Sequence, residues 1–139
     1  MGNWYIQRGA VKRAAGITGS DRDAQVDRLI EAASKAIDNA THRRFIPRTQ
    51  TRLYRWPRRN NPSNILWLDH DLISVTTLQS EAQNTTPTTI VAADYFLEPN
   101  NLGPPYDRIE IDLSSSAAFR SGDTPQRSIS VLGSWGYGN

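Results

Sequence analysis

Seven arginines, Arg43, Arg44, Arg48, Arg52, Arg55, Arg58 and Arg59, follow one another with no acidic residue between them. A guanidinium is permanently charged, and its planar fork fits carboxylate or phosphate oxygens two at a time. Tyr54 and Trp56 stand among the later arginines, an interleaving that suits contact with phosphates and stacking on bases. The expectation favoured over a DNA contact is that these arginines pair with acidic residues of a neighbouring subunit while Tyr54 and Trp56 cover a core. No sequence-reading module accompanies them, so a phosphate contact here would be non-specific. Arg52, Arg55, Arg58 and Arg59 are the candidate contacts to an anionic partner, and Trp56, Trp135 and Tyr137 are the candidate interface aromatics. Trp135 and Tyr137 lie among Gly133, Gly136 and Gly138, where they either close a sheet or project into a partner; closing the sheet is the expectation.

Other groupings point to less chemistry. Asp69-His70-Asp71 contains ligand-type residues, yet on a strand only Asp69 and Asp71 would share a face, so a solvated turn between strands is expected there and no metal site. Gly133-Ser134-Trp135-Gly136 falls one residue short of a nucleophile-elbow spacing, which leaves Ser134 without a catalytic role. Glu110 and Asp112 would share a strand face, with Asp107 nearby, and read as a polar outer surface. Neither of the glycine-rich phosphate-binding patterns, G-x-x-x-x-G-K-[ST] or G-x-G-x-x-G, occurs. The expectation is therefore a protein that is not an enzyme, with no catalytic residue, cofactor or metal.

The elements that must position these residues change in character along the chain. Residues 1–17 carry Trp4, Tyr5, Ile6, Val11 and Ile17 in no regular pattern and suit an arm. Ser20 and Asp21 offer helix-capping oxygens, and Val26, Leu29, Ile30, Ala33, Ile37 and Ala40 then recur at three- and four-residue steps. This predicts an amphipathic helix over 21–44, with Glu31 and Lys35 four apart in the favourable order and Pro47 preventing continuation. Beyond Pro47 short β-branched or apolar runs follow: 49–56, 65–68, 73–78, 89–91, 94–97, 108–113 and 127–132. The segments 58–63, 100–105 and 114–124 read as loops. The expected fold is α+β: an N-terminal amphipathic helix or small helical bundle packed with a small antiparallel sheet, with loops and arms for subunit contacts. One domain is expected over 1–139, with a possible arm at 1–17, a helical part at 20–45 and a β-rich part at 49–137.

Composition sets the outer bounds. The chain's 139 residues suffice for one modest core, and 37% hydrophobic with 22% charged residues is polar but within the globular range. It has no cysteine, so packing and neighbours must stabilise it without disulfides. The first residues lack a basic start and an apolar stretch, so a soluble product made in the cytoplasm, without membrane association, is expected. The formal net charge of +2 conceals an asymmetry: the arginine run carries +7, and the other nine basic residues against 14 acidic ones leave −5.

The order of segments resembles the head–tail connector, or head-completion adaptor, family of tailed bacteriophages and gene-transfer particles. The residues that carry the likeness are Leu29-Ile30-Glu31-Ala32-Ala33-Ser34 with Ile37-Asp38, Thr41-His42-Arg43-Arg44-Phe45, and Thr51-Arg52-Leu53-Tyr54. They continue through Leu66-Trp67-Leu68-Asp69, Ile73-Ser74-Val75-Thr76-Thr77-Leu78, Asp94-Tyr95-Phe96-Leu97-Glu98-Pro99 and Gly133-Ser134-Trp135-Gly136-Tyr137. These are packing and turn signatures, and their order over residues 11–137 makes the resemblance. It implies a virion structural protein of the neck, at the head–tail interface. There a homo-oligomeric ring would lie beneath the portal protein and receive a tail-side stopper or tail-completion protein. Packaged DNA would pass through its channel and touch it non-specifically. On that view Arg52, Arg55, Arg58 and Arg59 are intersubunit or DNA-channel contacts. Longer relatives continue with further helices after the Trp-Gly-Tyr segment, so the helical bundle they present is reduced here or completed by neighbours. The alternative function from the residues alone is a small cytoplasmic domain that binds nucleic acid non-specifically.

Overall fold

A computed structural model describes residues 4–56 and 63–137. The fold is α+β, and the chain divides into two compact units, 1–46 and 47–139, with the boundary at Pro47 where the sequence turns to strands.

The first unit is a helix pair. Helix α1, Arg8–Ala15, occupies part of the stretch whose pattern suggested an arm. It ends at Gly16 in the left-handed region, where the Gly16 amide donates to the Arg13 carbonyl and the Ile17 amide to that of Lys12, so two otherwise orphaned carbonyls are satisfied. Helix α2, Asp23–Thr41, starts later than the capping pattern predicts: its N-cap is Arg22, with no side-chain cap. Asp23 supplies the acid of the first turn instead. Only part of the predicted apolar stripe is covered. Val26, Ile30 and Ser34 are buried, whereas Leu29, Ala33, Ile37 and Ala40 are exposed.

Charge holds the pair together. Arg8 and Lys12, one turn apart on α1, face Asp23 and Asp27, one turn apart on α2: Arg8 Nη1 lies 2.9 Å from Asp27 Oδ2, and Lys12 Nζ lies 2.6 Å from Asp23 Oδ1. Tyr5 fastens the other end of α2. Its amide donates to Ser34 Oγ at 3.2 Å, its hydroxyl donates to Asp38, and the Phe45 amide donates to that hydroxyl at 3.1 Å.

The second unit is a six-stranded antiparallel sheet in the order β1-β6-β2-β5-β4, with β3 on the far end of β2. The strands are β1 Arg48–Tyr54, β2 Ile65–Ser80, β3 Thr88–Ile90, β4 Tyr95–Glu98, β5 Tyr106–Ile111 and β6 Ile129–Trp135. The predicted turn at Asp69-His70-Asp71 does not form: the two flanking runs are one 16-residue strand. Register shifts between Trp67 and Leu72, Leu72 and Ser74, and Val75 and Thr77 let β2 leave β5 and join β6 without breaking. Gly133 makes this crossing possible, since a Cβ there would lie 2.1 Å from the Ser74 carbonyl oxygen.

Strict alternation along β6 sends Ile129, Val131 and Trp135 into a core with Leu66, Leu72, Leu78, Ile90, Ile109 and Ile111. Phe119 completes that core from the loop over 112–128. The loop is fixed by Trp56, whose Nε1 donates to the Phe119 carbonyl at 2.8 Å, and by buried Ser80, whose Oγ accepts from the Arg120 amide at 2.6 Å.

Candidate functional site

Antiparallel register decides where the arginine–aromatic segment points. Arg52 sits opposite Val131 and Tyr54 opposite Ile129, so both side chains fall on the core face of the sheet, at its β1 edge. There the Arg52 guanidinium lies over the Trp135 ring, 5.4 Å from its centroid. Its Nη1 lies 3.5 Å from Asp69 Oδ2, and its buried Nε has no hydrogen-bond partner among the described residues. The Tyr54 hydroxyl donates to Asp69 Oδ1 at 2.7 Å, and the Tyr54 ring is 6.4 Å from that of Trp135. Burial first, and then the bond to Asp69, raise the Tyr54 hydroxyl well above its ordinary value, so Tyr54 stays a neutral donor.

Arg52, Tyr54, Asp69 and Trp135 therefore form one braced cluster. The register shift after Trp67 brings Asp69 into it, although the flanking sequence reads as a turn. This cluster orients Arg52 and sets one carboxylate beside it. Asp69, still 65% exposed, is the part that a partner can reach.

The remaining site residues divide clearly. Arg55 is exposed and has no ion-pair partner among the described residues. Arg58 and Arg59 lie outside the described residues. Trp135 closes the sheet: it is buried, and its Nε1 donates to the Gln50 carbonyl at 2.9 Å. Trp56 is half-buried against the core, and Tyr137 is exposed. Ser134 sits on strand β6, on the face opposite Trp135, and not on a turn. Glu110 accepts from Arg108 Nε at 3.0 Å, while Arg108 Nη1 donates to Asp107 at 2.9 Å and its guanidinium lies over the Trp67 ring; Glu110 is thus an ion-pair member on a polar face. Asp112 accepts from the hydroxyl and amide of Ser114, which hold its carboxyl below the ordinary range. Among the described residues no group of three or more His, Asp and Glu side chains is placed to hold a metal ion, and no helix is long and apolar enough to cross a membrane.

The sequence reading missed Asp69 as the partner of Arg52 and Tyr54. Local spacing carries no signal for it, because the contact depends on β1 and β2 flanking the same strand. No protein-family model, curated protein or solved structure matches this chain.

Proposed function

We propose that this protein is a virion structural adaptor: one subunit of a ring between the portal and the tail-side proteins of a tailed phage or phage-like particle, with DNA passing through the ring. The observation that carries the reading is the uncovered part of the α2 stripe. Leu29, Ala33 and Ile37 stand at successive four-residue steps, where they form one continuous apolar strip, and Leu29 is 65% exposed. Single exposed apolar residues are ordinary, but a strip on the most strongly patterned helix suits a surface that a neighbouring protein covers. The segment order supports the same reading. The quoted runs fall within or at the ends of α2, β1, β2, β4 and β6.

Quantitative mass spectrometry of purified DNA-filled particles tests the proposal by comparing the copy number of this protein with that of the portal. Near-equal stoichiometry is expected. Absence from particles, with the protein abundant in the lysate, overturns the adaptor reading and leaves non-specific nucleic-acid binding in its place. Reversal of Arg58 and Arg59 to Glu is expected to block particle completion while the isolated chain keeps its fold. Normal infectious particles from that variant would remove both arginines from the DNA-channel or intersubunit contacts.

A further inference from the structure

The two ends of the sheet are chemically opposite. Each step along the path from β1 to β4 is antiparallel, so after four steps β1 and β4 run in the same direction. Each has one described partner, β6 for β1 and β5 for β4, and among the described residues no strand covers the other side. Strand β1 pairs with β6 in unbroken register over seven residues, contains no proline, and exposes Thr49, Thr51 and Leu53. Such an edge, without a bulge or proline to blunt it, is a template for another strand. It carries Arg48 and Arg52, with Arg55 following, and no acid. The β4 edge carries Glu98, with Asp94 preceding it, and no base.

We infer that β1 of one copy pairs in parallel with β4 of the next copy, joining the sheets head to tail. The inference rests on the ring reading above and specifies its joint. Charge selects this pairing over the two-fold alternative. An antiparallel pair of β1 strands centred on Thr51 would gather Arg48, Arg52 and Arg55 from both copies into one ribbon, with like charges close together.

The apolar residues select the register. Leu53 lies opposite Ser130 and Phe96 opposite Glu110, so both point to the face away from the core, and they are 47% and 53% exposed. Setting Leu53 beside the next copy's Phe96 brings Arg55 to Glu98 on the same face and Thr51 level with Asp94, just before β4. On the other face, Arg52 and Tyr54 come beside Tyr95 and Leu97. Two different surfaces meet at every joint, so the contact is heterologous and closes into a ring when its rotation allows.

The chain contains no cysteine, so cysteines introduced at Leu53 and Phe96 would be its sole thiols. The purified full chain would be prepared as L53C, as F96C, as a mixture of the two, and as the double variant, and each treated with a short bis-maleimide. The expected products are monomers from each single variant, a 53–96 dimer from the mixture, and a ladder from the double variant. In sedimentation velocity, R55E or E98R is expected to weaken self-association roughly tenfold, and the combined swap to restore it. Cross-linked homodimers from a single variant, no dimer from the mixture, or self-association indifferent to the swap would each overturn the joint. The joint and the adaptor reading fail separately. Portal-like copy number in particles without a 53–96 link removes only the joint, and a 53–96 link in a protein absent from particles removes only the adaptor.

Discussion

The two units are held together by different physics. The sheet unit buries ten apolar side chains in one cluster, most of them on strands paired on both sides. In the helix pair Val26 and Ile30 are the large apolar residues that are buried, and its joints are Arg8, Lys12 and Tyr5 against Asp23, Asp27 and Asp38. Packing of the first kind is nearly indifferent to salt and acid, whereas exposed ion pairs are screened by one and titrated by the other. The stability of the sheet is thus the less sensitive to solution conditions, and that of the helix pair the more sensitive.

The sharpest way to break the contrast is Trp135→Ala. It removes the largest fully buried side chain, the face on which Arg52 rests and the donor to the Gln50 carbonyl. The expected loss is about 3–5 kcal/mol, read from urea denaturation of the full chain, with hydrogen exchange accelerated first in β1 and β6. Faster exchange confined to α1 and α2 would show that the sheet does not depend on this residue.

Gly133→Ala is expected to cost less, about 1–3 kcal/mol, because overpacking can be relieved in part by small shifts. The atom that a new Cβ meets is the Ser74 carbonyl oxygen, which is backbone and cannot rotate away. The expected signature is faster exchange where β2 changes register, over Ser74–Thr77, with the β1–β6 pairing retained. An unchanged urea midpoint would mean that the two strands separate there at little cost.

These positions mark how far the sequence could be read. The α+β class, helix α2 and most strands follow from local periodicity, since apolar alternation and four-residue spacing act over a few neighbours. Helix α1 does not announce itself, because Gly9 interrupts it and charge, not an apolar stripe, fastens it to α2. Strand β2 reads as two strands because Asp69-His70-Asp71 is polar, although the register shifts carry those residues within one strand. The stripe on α2 is legible as apolar but not as uncovered, since periodicity cannot tell a core from an interface. Of the site, the sequence supplies Arg52 and Trp135 but not their contact, which depends on β6 pairing with β1 from the far end of the chain.

Acid should affect the two units differently. The Lys12 ammonium hydrogen-bonds Asp23, with Arg8 adding attraction, so the Asp23 carboxyl sits below its ordinary value of 3.8 when folded. A carboxyl with a depressed folded pKa contributes stability above its unfolded pKa and loses it as pH falls through the folded value. As pH falls below the ordinary value of 3.8, α1 is therefore expected to lose exchange protection before β6 does. Asp112 titrates in the same direction in the sheet unit, but its bonds to Ser114 close only a local turn. Asp23→Asn should abolish most of the pH dependence in α1; a dependence that persists would assign it to another acid.

The smallest expected effect lies in how the two helices end. Helix α1 stops at Gly16, with φ 68° and ψ 25°, and α2 stops at His42, with φ 54° and ψ 28°. The backbone conformation is nearly the same, but only glycine adopts it without a clash between Cβ and the carbonyl. Gly16 has no other atom within 4 Å of where a Cβ would sit, so Gly16→Ala should cost about 1 kcal/mol through the backbone alone. His42→Gly should act in the opposite sense and stabilise α2 by about 0.5–1 kcal/mol, since relief of the strained conformation exceeds the added entropy of the unfolded chain. Thermal melts followed by helical circular dichroism measure both. If His42→Gly destabilises instead, the imidazole makes a contact worth more than the strain it imposes, and the end of α2 joins Tyr5 as a fastening point of the helix pair.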